Sequence, residues 1–163
     1  MAEAELSGFE TFEGVELLQK LHLFRRLSFE ETSRLGAIIQ YLDIPAHASV
    51  IEENAFSDAL YIIAQGEVAV RHQAMTTSTE LRTEELGRLG AGDLFGEMSL
   101  VDDVLTSASV TTLTSCRLLK IPKDKFEALL GQDDKLALKV YRSFLSTISD
   151  KLRRANAHLL KGA

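Results

Sequence analysis

From Tyr41 onward the apolar pattern breaks into short runs separated by turn-forming residues, and this constrains the fold more than any other feature of the chain. Leu42, Ile44, Val50 and Ile51 stand among Pro45, Asn54 and Ser57. Two denser runs, Ala59-Leu60-Tyr61-Ile62-Ile63 and Val68-Ala69-Val70, flank Gln65-Gly66, a spacing that predicts a hairpin. The polar residues 75–80 predict an exposed loop, residues 84–89 a further strand, and Gly90-Ala91-Gly92-Asp93 a turn. Residues 110–112 and 116–121 supply the closing strands. Many short strands at regular spacing imply a β-sandwich or barrel, here of jelly-roll type.

The two ends of the chain follow a helical period instead. Residues 1–13 are acidic and small, with Phe9 and Phe12 as isolated apolar groups, and read as a loosely held terminus. Val15, Leu17, Leu18, Leu21, Leu23 and Phe24 then form a helical stripe, and Ser28 followed by Glu31 makes a capping box for a second helix carrying Leu35, Ile38 and Ile39. Pro122 ends the sheet region, residues 123–130 predict a short helix stopped by Gly131, and Asp133 or Asp134 caps a long helix within residues 132–163. The chain thus reads as mainly β with helical ends: a β-roll with flanking helices over residues 14–131, followed by the long C-terminal helix.

That last helix carries the clearest periodicity. Leu138, Tyr141, Leu145, Ile148, Leu152, Ala155 and Leu159 alternate by three and four residues, the heptad seam that two parallel helices share, and so predict a homodimer. The competing reading is that the stripe, helped by Val140 and Phe144, packs on its own barrel. Lys151-Leu152-Arg153-Arg154 reads as a solvated face near the helix C-terminus.

Composition narrows the chemistry. With 163 residues, 45% of them hydrophobic, one compact domain with a real core is expected, and a net charge of −6 disfavours DNA as a partner. Cys116 is the single cysteine, which removes internal disulfides and cysteine zinc clusters and leaves it to act as a small buried hydrophobe. His22, His47, His72 and His158 are scattered with no paired metal-ligand spacing, so an enzyme and a resident cofactor are not expected. The N-terminus lacks a signal-peptide pattern and no apolar run reaches the ~18 residues of a membrane span, so the cytoplasm is the expected compartment.

The stretch with chemistry in it is FGEMSLVDDVLTSASV, residues 95–110. Gly96 permits close backbone approach, and Glu97-Met98-Ser99-Leu100 can form one helical turn whose free N–H groups meet an anion. Glu97 places a carboxylate beside those donors, suited to accept from sugar hydroxyls. Each feature also has a reading without a ligand: a tight turn at Gly96, a carboxylate favouring its own helix N-terminus at Glu97, and a strand residue at Ser107.

Taken together, LLQKLHLFRRLS, DALYIIAQGEVAV, GAGDLFGEMSL and a long helix after IPKDKFEALL resemble the cyclic nucleotide-binding domain family, from about residue 15 to residue 156. The resemblance implies a helical lead-in, an eight-stranded β-roll, a phosphate-binding cassette and mobile C-terminal helices, with cyclic AMP or cyclic GMP as ligand. After Phe95, the residues Gly96, Glu97, Met98 and Ser99 match the cassette's start, where backbone donors meet the phosphate and the glutamate accepts from the ribose 2′-hydroxyl. Ser107 and Ala108 match the small pair that also touches the phosphate, and Asn156, with Ala155, falls where some members close over the purine. Members that regulate transcription append a helix-turn-helix module after the long helix; with residues 132–163 taken up by that helix, DNA reading of this kind is not expected.

Thr106 departs from the pattern, which places a phosphate-neutralising arginine there. A charge-assisted bond contributes about 1.5–3 kcal/mol, and a desolvated anion left without its counter-charge costs on the order of 3–5 kcal/mol. At ~1.4 kcal/mol per decade, affinity for a cyclic nucleotide should fall by about two to three orders of magnitude unless another group substitutes. The substitutes open to the sequence are Arg71, Arg82 or Arg88 from neighbouring strands, Arg153 or Arg154 from the last helix, or backbone donors alone. Two expectations follow: a sensor acting through a partner protein or its own dimer, or a ligand-independent dimeric interaction module.

Overall fold

In the computed structural model, residues 8–75 and 80–162 are described, with side chains from residue 14 onward. The chain divides into two compact units, one made of residues up to 37 and from 128, the other of residues 38–127.

The first unit is helical. Helix α1 (Gly8–Lys20) begins inside the segment read as a loose terminus, whose first seven residues lie outside those described. Val15 and Leu18 are buried on α1, as the stripe predicts, whereas Leu21, Leu23 and Phe24, buried as well, lie in the turns beyond its end rather than on the expected helix. Helix α2 (Phe29–Gly36) starts on the expected capping box: Ser28 Oγ accepts from Glu31 N, and Glu31 Oε2 accepts from Ser28 N at 2.7 Å. Ile38 and Ile39 fall beyond its end rather than within it. Helix α4 (Asp134–Lys161) is capped by Asp133, whose Oδ1 accepts from Lys135 N and Leu136 N at 3.1 and 3.0 Å. The Asp133 carboxyl also takes Arg34 at 2.7 Å, and Lys139 reaches both oxygens of Glu31 at 2.9 Å, so α2 and the first turns of α4 are tied at two points.

The second unit is the β-roll. Its strands are β1 (Gln40–Ile44), β2 (Ser49–Ile51), β3 (Ala59–Gln65), β4 (Val68–Met75), β5 (Leu81–Leu89), β6 (Leu94–Phe95), β7 (Ser109–Thr112) and β8 (Cys116–Pro122). They form two antiparallel four-stranded sheets, ordered β1-β8-β3-β6 and β2-β7-β4-β5. The inner faces meet in a core of Ile51, Ala59, Tyr61, Ile63, Val68, Phe95, Val110, Cys116 and Leu118. Helix α3 (Lys123–Gly131) follows the last strand.

The hairpin expected at Gln65-Gly66 does not form. β3 already carries β8 on one edge and β6 on the other, so β4 has no edge to pair with and joins the second sheet instead. Gly66 makes that crossing at φ +100, and a Cβ there would stand 2.6 Å from both Cys116 Sγ and Ser115 O, so neither its conformation nor its surroundings admit a larger residue. The strands on either side of the expected polar loop run further than expected: β4 reaches Met75 and β5 begins at Leu81, with residues 76–79 outside those described. Among the described residues no helix is long and apolar enough to cross a membrane.

Candidate functional site

The cassette opens where β6 meets the core. The Phe95 ring is buried and stacks on Tyr61, with centroids 5.2 Å apart and 12° between the planes. Of the expected site residues it therefore serves the core, fixing the backbone that follows. Gly96 comes next at φ +77, and a Cβ on it would lie 2.8 Å from Ala59 O and 3.3 Å from Ile51 Cδ1. This left-handed step, open to glycine, turns the chain into a 3-10 turn, Glu97–Leu100. Glu97 is 6% exposed and Ser99 is buried, whereas Met98 faces solvent. A carboxylate held that deeply needs a polar partner, and Glu97 has one within the protein.

The two acids that follow, Asp102 and Asp103, both have partners. Asp103 is paired with Lys123 Nζ, whose ammonium holds the Asp103 carboxyl below its ordinary range. Asp102 accepts from Val104 N at 3.2 Å.

Thr106 is half-buried and committed to the loop after β2. Its hydroxyl donates to Glu52 O and accepts from Ala55 N, while its backbone N–H donates to Ala55 O at 2.9 Å and its carbonyl accepts from Asn54 N at 2.8 Å. Four hydrogen bonds zip residues 52–55, including Asn54 at φ +59, to the cassette. The position that carries an arginine in the family pattern is here a structural rivet. Ser107 is exposed and Ala108 half-buried just before β7.

Two residues that sequence reasoning left out join this group. Glu53 places a side chain only 9% exposed between strands: Oε2 accepts from Gln73 N at 2.8 Å and Oε1 lies 2.6 Å from His72 Nδ1. The same His72 nitrogen is 3.3 Å from Ser107 O. Glu53 thus occupies the place on β4 that β7 vacates when it bends into the cassette. No motif links residues 53, 72 and 107. The one usable signal is strand alternation, since Val68, Val70 and His72 fall on the core side of β4.

The remaining expected residues lie elsewhere. Asn156 and Ala155 are exposed on α4, in the helical unit. The α4 seam is exposed along its length, with Leu138, Tyr141, Leu145, Ile148, Leu152 and Leu159 all open and Leu145 at 66%. Leu136, Val140, Ser143 and Phe144 form a separate buried face. Of the arginines open as substitutes, Arg88 contacts Glu85 at 2.7 Å and Glu67 at 3.6 Å, Arg71 approaches Glu85 at 4.0 Å, and Arg153 pairs with Asp150. Among the described residues no cluster of histidine, cysteine and acidic side chains is arranged to hold a metal.

The chain matches known proteins over most of its length. The family model described as "Cyclic nucleotide-binding domain" covers residues 41–133. A cAMP-dependent protein kinase regulatory subunit of Aspergillus fumigatus is 31% identical over 114 residues, 70% of this chain and 26% of that protein. A CRP-like cAMP-activated global transcriptional regulator of Mycobacterium tuberculosis is 26% identical over 144 residues, 88% of this chain and 61% of its own. The chain therefore spans between about a quarter and three fifths of these two relatives, at 26% and 61%. Among solved structures, a cyclic nucleotide-binding domain from Methylobacillus flagellatus superposes with a TM-score of 0.81 at 26% identity, covering 94% of this chain and 84% of that one.

Proposed function

Because the chain belongs to the cyclic nucleotide-binding domain family, we propose that its cassette takes up a cyclic nucleotide, cyclic AMP or cyclic GMP, and that it acts as a regulatory sensor through a partner protein or its own dimer. The observation that carries this reading is the cassette opening: Gly96 in the left-handed conformation, with Glu97 buried immediately after it. In this reading the backbone donors of the turn meet the phosphate, assisted by Ser107 and Ala108, and the Glu97 carboxylate accepts from the ribose 2′-hydroxyl. The two relatives named for cAMP support it.

Calorimetry of the chain with cyclic AMP and with cyclic GMP is the test. Binding should release or absorb heat and raise the melting temperature, since any ligand selective for the folded state stabilises it by mass action. The absence of both signals at millimolar nucleotide refutes the reading.

The homodimer belongs to the same proposal. Seven seam positions exposed on one helix match what two copies in parallel register bury. In sedimentation, Leu145→Asp should convert a dimer to a monomer; an unchanged mass removes α4 as the interface. A second reading, a ligand-independent dimeric module, is favoured by Thr106, whose side chain holds a loop instead of reaching for a phosphate. Under it, the wild-type chain binds neither nucleotide and Thr106→Arg creates the affinity.

A further inference from the structure

The register of the second sheet decides which arginine can stand in for the cassette's missing cation. Residues directly opposite one another across an antiparallel ladder share a face. On β4, Val68 and Val70 point into the core, opposite Leu89 and Gly87 of β5, and alternation carries His72 and Ala74 to that same inner side. If β5 simply alternated outward from Gly87, its inner residues would be Glu85 and Thr83. It does not. The ladder steps from the pair Val70 and Gly87 to the pair Arg71 and Glu85, leaving Leu86 without a partner. A one-residue bulge of this kind reverses the facing of everything beyond it. His72 is thereby paired with Glu84, and Ala74 with Arg82.

An independent contact fixes the reversal. Arg88 Nε lies 2.7 Å from Glu85 Oε1, a pair three residues apart that would be on opposite faces of an unbroken strand. Arg71, opposite Ser109 and Glu85, lies on that outer side as well, so Arg71 and Arg88 are both turned away from the roll and occupied by Glu85. His72 faces inward but is already held by Glu53 and the Ser107 carbonyl. Arg82 faces inward opposite Ala74, whose side chain is a single methyl, and it forms no ion pair among the described residues. It lies two ladder spacings of about 4.8 Å from the line of β7, the strand that Ser107 and Ala108 lead into.

Resting on the cyclic-nucleotide reading above, we propose that Arg82 supplies the positive charge for the ligand's phosphate, reaching over Ala74 from β5, in place of the arginine that Thr106 displaces. The cation then comes from across the sheet and the cassette contributes backbone donors only. Glu53 and Glu84 are the acids on the same face, and Arg82 is the cation that offsets them when an anion arrives.

Calorimetric titration of the full chain with cyclic AMP and cyclic GMP tests this with four variants. Arg82→Gln should weaken the better-bound nucleotide by about 10- to 100-fold, the worth of one charge-assisted bond. Arg82→Lys should recover most of that loss, and the melting temperature of both should match wild type. Arg71→Gln and Arg88→Gln should bind like wild type. An Arg82→Gln protein that binds as wild type does, or a loss that Arg82→Lys fails to restore, overturns the role of Arg82 while leaving the cyclic-nucleotide reading intact. A wild-type chain that binds neither nucleotide overturns both.

Discussion

The two sheets of the roll are built to the same plan and used differently. In β1-β8-β3-β6 the central strands are apolar on both sides: Leu60 and Ile62 are as fully buried as Ala59 and Ile63, and Leu118, Leu119 and Ile121 likewise. In β2-β7-β4-β5 burial stops at mid-sheet, β5 is exposed along nearly its whole length, and the inner face beyond Val70 passes to His72, Glu84 and Arg82. A sheet buried on both sides spends its side chains on stability and has none left to meet a ligand. The second sheet keeps its apolar residues near Val68 and Val110 and leaves its far half polar, which is where the cassette, Glu53 and Thr106 converge. The difference assigns a division of labour: the first sheet holds the fold and the second carries the polar groups of the roll.

Substitutions divide along the same line. Leu118→Ala, in the sheet buried on both sides, should cost about 3–4 kcal/mol in denaturant unfolding, because a fully enclosed leucine leaves a cavity; a loss under about 1 kcal/mol would erase the distinction between the sheets. Gly96→Ala tests the junction. It forces a Cβ against Ala59 O in a left-handed conformation, so it should cost about 1–3 kcal/mol and abolish nucleotide binding together, and retained binding would separate the cassette from its glycine. Thr106→Arg should split the two properties, raising affinity about tenfold or more while lowering the melting temperature, since Glu52 O and Ala55 N lose their partner. An unchanged melting temperature would show that the rivet holds nothing.

The smallest effect is an acid one. Asp43 on β1 accepts two hydrogen bonds from Arg117 on β8, at 2.9 and 3.1 Å, and that guanidinium holds its carboxyl below the ordinary range. A lowered folded pKa means the unfolded chain binds the proton first, so this stabilisation is present above about pH 4 and is lost as pH falls further. Asp43 is largely exposed, which limits the pair to about 0.5 kcal/mol or less. Wild type and Asp43→Asn should therefore differ slightly at pH 7 and converge near pH 3; a gap that widens on acidification would reverse the assignment.

Much of this was legible in the amino-acid order. Ser28 and Glu31 announced a helix start, Asp133 another, and the GAGDLFGEMSL segment the glycine step and the turn after it, because caps and left-handed glycines are local and leave local marks. What stayed hidden depends on partners. Gln65-Gly66 looks like a hairpin until β3 is seen to have both edges taken. Glu53 and His72 carry no motif, and they meet only because β7 departs from the β4 ladder. Thr106 was readable as a missing charge but not as a hydroxyl with two partners, since the loop it holds is some fifty residues away, at separations of 51 and 54. Arg82 was indistinguishable from Arg71 and Arg88, and simple alternation would have put it on the outside with Arg88.

The unpaired Leu86 gives the outer half of β5 a parity that register, and not side-chain chemistry, controls. Were Leu86 to take a place in the ladder opposite Arg71, the distal strand would slip by one residue and turn over, presenting Thr83 and Glu85 where Arg82 and Glu84 now face, and so would remove the arginine from the roll's interior without replacing a single amino acid. A one-residue slip of register in this strand can therefore exchange the side chains that line the roll in one step, along a route that point substitutions do not offer.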